Sequence, residues 1–286
     1  MFDSFLALSP IYHVCIAGVF GLVVGSFLNV VIYRLPKLMH YQWTSQSYEW
    51  LNKKPYSEEE PPTLSKPASH CYSCKKSIKA WQNIPVISYL VLRGKCGNCK
   101  SPISIRYPLI ELLTGILSAL VIYRFGTTLQ GLFGILLTWV LVSLTFIDFD
   151  HQLLPDDIVL PTLWLGLGLS VFEIYANPID SIIGAIAGYL FFWLIFHAFR
   201  LLTGKEGMGY GDFKLMSLLG AWFGWQFLPQ IVLLSTLTGS VIGISLMVVK
   251  KAGMGNKIPF GPYIAIAGYI AMLWGGHINN TYIKLL

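Results

Sequence analysis

Eight long apolar runs, separated by polar segments, dominate this sequence of 286 residues. A run of roughly 17–25 apolar residues is long enough to cross a bilayer as a helix. Only 12% of the residues are charged, about half the fraction typical of a soluble domain. We therefore predict an all-α polytopic membrane protein with about eight transmembrane helices. The predicted spans are 11–33, 108–124, 129–147, 158–175, 182–202, 212–226, 230–249 and 259–276, of which the sixth is short.

The basic residues indicate how the chain is oriented in the membrane. Twelve of the 20 Lys and Arg residues lie between Arg34 and Arg106, and six more fall beside loops that eight spans put on the same side. Only Arg124 and Lys284 fall opposite. Since basic loops stay in the cytoplasm, we expect a multi-pass membrane protein whose long loop is cytoplasmic and whose termini both lie outside. The net charge of +6 is then a topology signal, which favours membrane lipid and no nucleic acid as a partner.

Residues 34–107 interrupt the membrane pattern. We divide the chain into a first transmembrane helix (1–33), a cytoplasmic loop (34–107) and a seven-helix core (108–286). The first run is expected to be a retained helix, because no basic residue precedes it. Residues 38–66 show no apolar periodicity, and we expect a loosely ordered segment there with a short helix near Trp50.

Two CxxC pairs occupy the rest of this loop, at Cys71 and Cys74 and at Cys96 and Cys99. Each pair can present two thiolates, and together they complete a tetrahedral zinc site. Two disulfides, or four unconnected thiols, are the alternatives, but disulfides are rare in the cytoplasm. We predict a structural zinc site within 67–106, because a four-thiolate site leaves no open position for catalysis.

Two aspartates stand where apolar helices meet the predicted cytoplasmic side. Asp148 is flanked by Ile147 and Phe149 at the end of the third run, and an ionisable residue in such a place is a functional candidate. Asp212 follows the glycine-rich stretch GMGYG and opens the sixth run. Paired carboxylates share a proton, so one can activate water while the other polarises a peptide carbonyl.

The acids in these two segments could also have purely structural roles. Asp156, Asp157 and Asp212 could be helix caps that favour the helix dipole. The GMGYG stretch could suggest a nucleotide or methyl-donor loop, but no strand precedes it as that motif requires.

Motifs from most of the chain resemble those of the type IV prepilin peptidases, which are GxGD aspartic proteases. They are GSFLNVVIYRLP (25–36), QNIPVISYL (82–90), GKCGNC (94–99), RYPLIELLTG (106–115), IDFDHQLLPD (147–156), GKEGMGYGDFKL (204–215) and IPFGPYIAIAG (258–268).

The resemblance implies that Asp148 and Asp212 are the catalytic pair and that the four module cysteines match those of the family. It implies that the partners are type IV prepilins and type II secretion pseudopilins, cut at the cytoplasmic face after the Gly that ends a short basic leader. It also implies N-methylation of the new N-terminus with S-adenosylmethionine as donor. Asp150, Asp156, Asp157 and Glu206 would place negative charge near a basic leader.

The methyl-donor site is not located by the resemblance. Gly94 and Lys95, beside the cysteine module, are candidates by elimination, and a turn that closes the module explains them equally well. A transporter, or a non-enzymatic scaffold with a zinc docking module, remains the alternative function. A transporter would need acids near the bilayer midplane, whereas these acids lie at its edge.

Overall fold

The computed structural model describes residues 9–51, 61–205, 207–250 and 259–285. Within these ranges the protein is built from helices and turns. The extended pairings found there are two isolated bridges, between His70 and Ser77 and between Lys95 and Pro102. The prediction of an all-α chain is confirmed.

Nine α-helices follow one another in the part of the chain that the structure describes. They are α1 (Pro10–Trp50), α2 (Ile87–Val91), α3 (Arg106–Phe125), α4 (Leu129–His151), α5 (Asp156–Ser170), α6 (Pro178–Thr203), α7 (Tyr210–Phe223), α8 (Leu228–Lys250) and α9 (Gly261–Leu285), with 3-10 turns at Ala80–Asn83 and Trp225–Phe227.

Each predicted span falls on one of these helices, although not all the helices are long. Among the described residues, five helical segments are long and apolar enough to cross a membrane: Pro10–Trp50, Arg106–Phe125, Leu129–His151, Pro178–Thr203 and Trp225–Ser245. The helices α5 and α7 have only 15 and 14 residues. The predicted span 158–175 was too long, because α5 ends at Ser170 and residues 171–176 form a turn.

The first helix extends much further than its apolar run. We expected a loosely ordered segment from residue 38, but α1 continues through Pro36 to Trp50. Leu35, Pro36 and Met39 are buried, so packing stabilises this part of the helix although a proline removes one backbone hydrogen bond. Residues 52–60, which include the acidic run, lie outside the described residues, whereas residues 61–66 form irregular backbone and bends, as expected for the loose segment.

The residues up to Thr127 form one compact unit, in which α1 packs on α3. Glycines make this contact close: a methyl group at Gly25 would lie 2.7 Å from Glu111 Cα, and one at Gly21 would lie 2.9 Å from Gly115 Cα. Small residues thus allow the two helix backbones to approach closely. Our division of the chain by role at residue 107 stays a prediction.

Residues 128–286 form the second compact unit, and its centre is α7. All residues from Leu215 to Phe223 are buried, as are Asp212 and Phe213. The helices α5, α6 and α9 all pack against α7. The backbones of α6 and α7 touch where Gly184 faces Gly220. Asp212 is therefore carried by a short helix that is buried over most of its length.

Candidate active site and metal centre

Asp148 lies in the last turn of α4 and is only 5% exposed. Its Oδ2 atom accepts a hydrogen bond of 3.0 Å from the backbone N–H of Gly261, at the first turn of α9. The N-terminus of a helix carries partial positive charge, so this contact favours a carboxylate and fixes its orientation.

Asp212 is the third residue of α7 and is 6% exposed. Its Oδ2 atom accepts a hydrogen bond of 3.3 Å from the backbone N–H of Gly209, just before the helix. Gly209 is the cap residue, so Asp212 is not itself the N-cap; from the third position of the helix its carboxylate accepts from the cap backbone N–H. The structure also brings the surroundings of the two aspartates together, because Leu154 lies beside both Gly211, which precedes Asp212, and Gly261, whose N–H binds Asp148.

Leu154 packs against the backbone on both sides of the pair. A methyl group at Gly211 would lie 2.8 Å from Leu154 Cβ, and one at Gly261 would lie 3.3 Å from Leu154 Cδ1. Gly211 belongs to α7 and Gly261 to α9. One buried leucine therefore lies between α7, which carries Asp212, and α9, whose backbone binds Asp148. A side chain at either glycine would push this arrangement apart.

The glycine-rich stretch before α7 has only one position with free space. Gly211 is helical and packs on Leu154, and a methyl group at Gly207 would meet the Phe199 ring at 3.0 Å. At Gly209 the nearest atom to such a methyl group is Asp212 Oδ2, at 3.8 Å. Of the three glycines in this stretch, Gly209 is the one with open space beside Asp212.

Aromatic rings brace the start of α7 against α6. Phe196 lies 5.1 Å from Tyr210 and 5.6 Å from Phe213 between ring centroids. Tyr189 meets Phe213 edge to face at 5.9 Å. Such contacts are rigid, so the segment that carries Asp212 is held on one side by packing rather than by a flexible loop.

The other acids near the pair have different environments. Asp156 begins α5, but the cap residue is Pro155 and no side chain caps this helix. Asp156 instead forms an ion pair of 2.7 Å with Lys214, one turn into α7. Asp150 and Asp157 are exposed. Capping by Asp156 was thus wrong, while its place in the first turn still suits the helix dipole. Glu206 lies outside the described residues.

The four module cysteines meet in one cluster. All their Sγ atoms lie within 4.8 Å of one another, and none forms a disulfide. The two CxxC turns repeat one geometry: Lys75 N–H donates to Cys71 O and Lys100 N–H donates to Cys96 O, each with positive φ at the lysine. Cys15 lies apart, in α1.

The cluster fits zinc in both spacing and charge. Ligands at the usual Zn–S length of about 2.3 Å around a tetrahedral ion stand about 3.8 Å apart, and the Cys71 and Cys99 Sγ atoms are 3.8 Å apart. Hydrogen bonds from the Cys74 backbone N–H and the Ser101 hydroxyl lower the pKa of the Cys71 thiol to about 6. Ser101 also lowers the pKa of Cys99. Thiolates, the form that binds metal, are therefore favoured at Cys71 and Cys99, whereas desolvation and the neighbouring Cys71 and Cys99 thiols raise the pKa of Cys96.

Two family profiles match the chain in sequence. The profile described as "Bacterial Peptidase A24 N-terminal domain" covers residues 19–125, and that described as "Type IV leader peptidase family" covers residues 135–244. A prepilin leader peptidase/N-methyltransferase from Pseudomonas putida is 50% identical over 283 residues, which cover 99% of this chain and 98% of that protein. The chain belongs to the type IV leader peptidase family.

More distant species carry relatives of the same full length. The prepilin leader peptidase/N-methyltransferase of Legionella pneumophila is 44% identical over 99% of each chain. That of Neisseria gonorrhoeae is 49% identical and covers 92% of this chain and 91% of its own. No solved structure matches significantly. The resemblance inferred from the motifs is confirmed, and this type IV leader peptidase matches its relatives from end to end.

Sequence reasoning missed three residues of the leader peptidase site: Gly261, Leu154 and Lys214. Gly261 and Leu154 stand inside quoted motifs, IPFGP and LLPD, but nothing local assigns them a role. Gly261 contacts a carboxylate 113 positions away. Lys214, two residues after Asp212, was seen only as a topological charge, and its partner is 58 positions away.

Proposed function

We propose that this chain is a membrane-embedded aspartic endopeptidase that removes the leader of prepilins, with Asp148 and Asp212 as its catalytic pair. The observation that carries the proposal is the position of these two buried carboxyl groups on α4 and α7: Leu154 lies beside both Gly211, which precedes Asp212, and Gly261, whose N–H binds Asp148. Two such carboxyl groups cannot easily both ionise, so they divide into one acid and one base.

The reaction follows from that division. The ionised aspartate takes a proton from a water molecule, whose oxygen attacks the carbonyl carbon of the scissile peptide bond. The protonated aspartate gives its proton to the carbonyl oxygen, which forms a neutral tetrahedral diol. The C–N bond then breaks as the amine leaves with one proton and the other carboxyl group recovers its own. This is the acid–base pairing that coupled carboxylates allow.

Each aspartate suits a different one of the two roles, general base and general acid. Asp148 has its orientation fixed by the Gly261 N–H at a helix N-terminus, a contact that supports the ionised form. Asp212 lies beside it under an open Gly209, where an extended substrate backbone can approach. We assign the base to Asp148 and the acid to Asp212 on this ground.

The charges around the pair suit a short basic leader. Asp157 is exposed and carries negative charge, whereas Asp156 is paired with Lys214. A prepilin whose hydrophobic helix lies in the bilayer would present the end of its leader, a Gly, at the membrane surface. We expect cleavage after that Gly.

The remaining parts of the proposal concern the cellular location of the protein, its zinc site and the methyl transfer. The basic loops favour an inner-membrane protein whose cysteine module and active site face the cytoplasm. The cysteine module would hold zinc through Cys71, Cys74, Cys96 and Cys99, which folds the module rather than performing catalysis. S-adenosylmethionine, when bound, supplies a methyl group for the amine that cleavage exposes. Pseudopilins of type II secretion carry the same kind of leader and belong to the same substrate class.

The test uses the purified full-length chain in detergent, a prepilin substrate and S-adenosylmethionine. Mass spectrometry of the product should show cleavage after the leader Gly and a new N-terminus heavier by one methyl group. Without the donor, the same cut should appear with an unmethylated N-terminus. A substrate that stays intact with folded protein would overturn the peptidase, and a cut product that never gains the methyl group would overturn the second activity alone.

A further inference from the structure

A cavity of about 410 Å³ lies within the first unit, between the cysteine module and the helices α1 and α3. Its volume falls in the range of roughly 300–1,000 Å³ found for pockets that bind drug-sized molecules. The wall contains polar side chains from all three elements, among them Asn29, Glu111, Tyr33, Tyr72, Tyr107 and Arg34. The peptidase mechanism uses none of these residues.

Glu111 is a buried acid in the cavity wall without a basic partner among the residues that the structure describes. It is 8% exposed on α3, and its Oε2 accepts a hydrogen bond of 2.8 Å from the backbone N–H of Val86. Ser26 on α1 lines the cavity together with Glu111. Because burying a charge without a counter-charge is costly, a carboxylate facing a cavity favours a cationic ligand.

The loop that Glu111 holds is strained. Val86 has a φ of +58°, a conformation that a β-branched residue rarely adopts. Its N–H is the group bound to Glu111, and α2 begins at the next residue. Strain of this kind persists where the surroundings impose it and is concentrated at ligand sites. The contact thus fixes one wall of the cavity at an energetic cost.

Asn29 adds an acceptor to the same wall. It is 9% exposed, and its amide nitrogen donates to Gly25 O and to Tyr107 O, both at 3.2 Å. The Asn29 side chain lines the cavity. An amide oxygen has two lone pairs and can accept from an amino or hydroxyl group of a ligand.

The remaining wall supplies aromatic surface and a fixed positive charge. Tyr33 of α1 and Tyr72 of the cysteine module meet edge to face with centroids 5.2 Å apart, and Tyr107 contacts Tyr72. Arg34 is held by Thr63 O at 2.8 Å and Pro67 O at 2.9 Å. Tyrosine rings bind both purine faces and cations, and an arginine suits a carboxylate.

We propose that this cavity binds S-adenosylmethionine, with the Glu111 carboxylate facing the positive charge of the donor. That molecule combines a sulfonium, an ammonium, a carboxylate and a purine, and the wall offers a counterpart to each class of group. The inference rests on the methyl transfer proposed above and gives it a place in the chain. Gly94 and Lys95, the candidates from sequence, do not line this cavity.

Gly94 has a different role in the structure. Its φ is +67° and its carbonyl oxygen accepts from Ile103 N–H at 2.7 Å. Lys95 pairs with Pro102 in one of the isolated bridges. The two residues therefore form the turn that closes the second CxxC pair, which is the alternative considered for them from sequence.

The test measures binding directly, by equilibrium dialysis of radiolabelled S-adenosylmethionine with the full-length protein in detergent. Glu111→Gln keeps an oxygen that can accept from Val86 N–H but removes the charge. It should weaken donor binding by about tenfold or more, as expected for a lost charged contact. The matched control is Glu173→Gln, at an exposed acid of the second unit, which should bind like the wild type. Wild-type donor affinity in Glu111→Gln would overturn the inference.

A second variant and a mapping experiment keep the inference testable if Glu111→Gln misfolds. Ser88→Trp would fill the cavity from the side of α2 and should abolish donor binding. Ultraviolet cross-linking of the labelled donor to wild-type protein should mark peptides between residues 69 and 111. Label confined to residues 128–286 would overturn the inference. Product methylation by the wild type, measured separately, decides whether the proposed second activity itself stands.

Discussion

Gly261 is the position where one added methyl group should disable the proposed catalytic pair. In Gly261→Ala the new Cβ would lie 2.6 Å from Asp148 Oδ2 and 3.1 Å from Asp148 Cγ. Ordinary van der Waals contact begins at 3.4 Å, so the first distance is too short by 0.8 Å. The neighbour on the other side is Leu154, at 3.3 Å, which leaves little room for α9 to retreat. Asp148 must therefore turn away.

The expected loss of activity follows from this displacement. A misplacement of about 1 Å in a catalytic site costs roughly 100-fold in rate, which corresponds to about 2.7 kcal/mol of transition-state stabilisation. The 3.0 Å hydrogen bond from Gly261 N–H to Oδ2 would lengthen at the same time. We expect kcat/KM for prepilin cleavage to fall by about two orders of magnitude.

The assay is cleavage of a prepilin substrate by purified variants, with thermal unfolding as the check on folding. Gly276→Ala is the matched control on the same helix, because a methyl group there meets nothing within 4 Å. It should cleave like the wild type and be slightly more stable, since alanine favours helices over glycine. A folded Gly261→Ala protein with wild-type kcat/KM would refute the assigned contact between α9 and Asp148.

Two further predictions concern the metal centre and the packing of α6 on α7. Cys96→Ser should lower the zinc content of the purified protein and expose the cysteine module to proteolysis, because it removes one of the four thiolate ligands. The control Cys15→Ser should keep its zinc and its resistance to proteolysis. Equal zinc contents in the two variants, measured by elemental analysis, would contradict the four-thiolate site. Gly184→Ala should destabilise the protein because its Cβ would clash with Gly220 O, whereas Gly168→Ala meets nothing within 4 Å. Thermal unfolding compares the two variants, and equal midpoints would contradict the close packing of the helices.

The positions of the helices could be predicted because apolar run length alone decides whether a segment spans a bilayer. The zinc cluster could be predicted because the ligand types and their CxxC spacing are local features. The extension of α1 to Trp50 could not, since residues 37–50 are polar and their helix depends on buried contacts of Leu35 and Met39. The hydrophobicity pattern of the sequence does not indicate such contacts.

The sequence alone could identify the two acids of the candidate site, but not the residues that position them. Asp148 and Asp212 could be recognised because each is a charged residue at the end of an apolar run. Their orientation depends on Gly261 and Leu154, which become neighbours of the pair only when α5, α7 and α9 pack together. In the first unit, the contact between Glu111 and Val86 joins residues 25 positions apart. A glycine or a leucine has no charge or motif chemistry by which sequence alone could assign it to a site.

The central claim is that Asp148 and Asp212 act as one catalytic pair. The most direct measurement is prepilin cleavage by Asp148→Asn and Asp212→Asn, each with folding checked by thermal unfolding and with Glu173→Gln as an exposed-acid control. Each asparagine keeps the size of the side chain and removes its ability to exchange a proton. Both should lose at least about 100-fold in rate, while the control cleaves like the wild type. Near wild-type cleavage by either folded asparagine variant would contradict the paired-aspartate account.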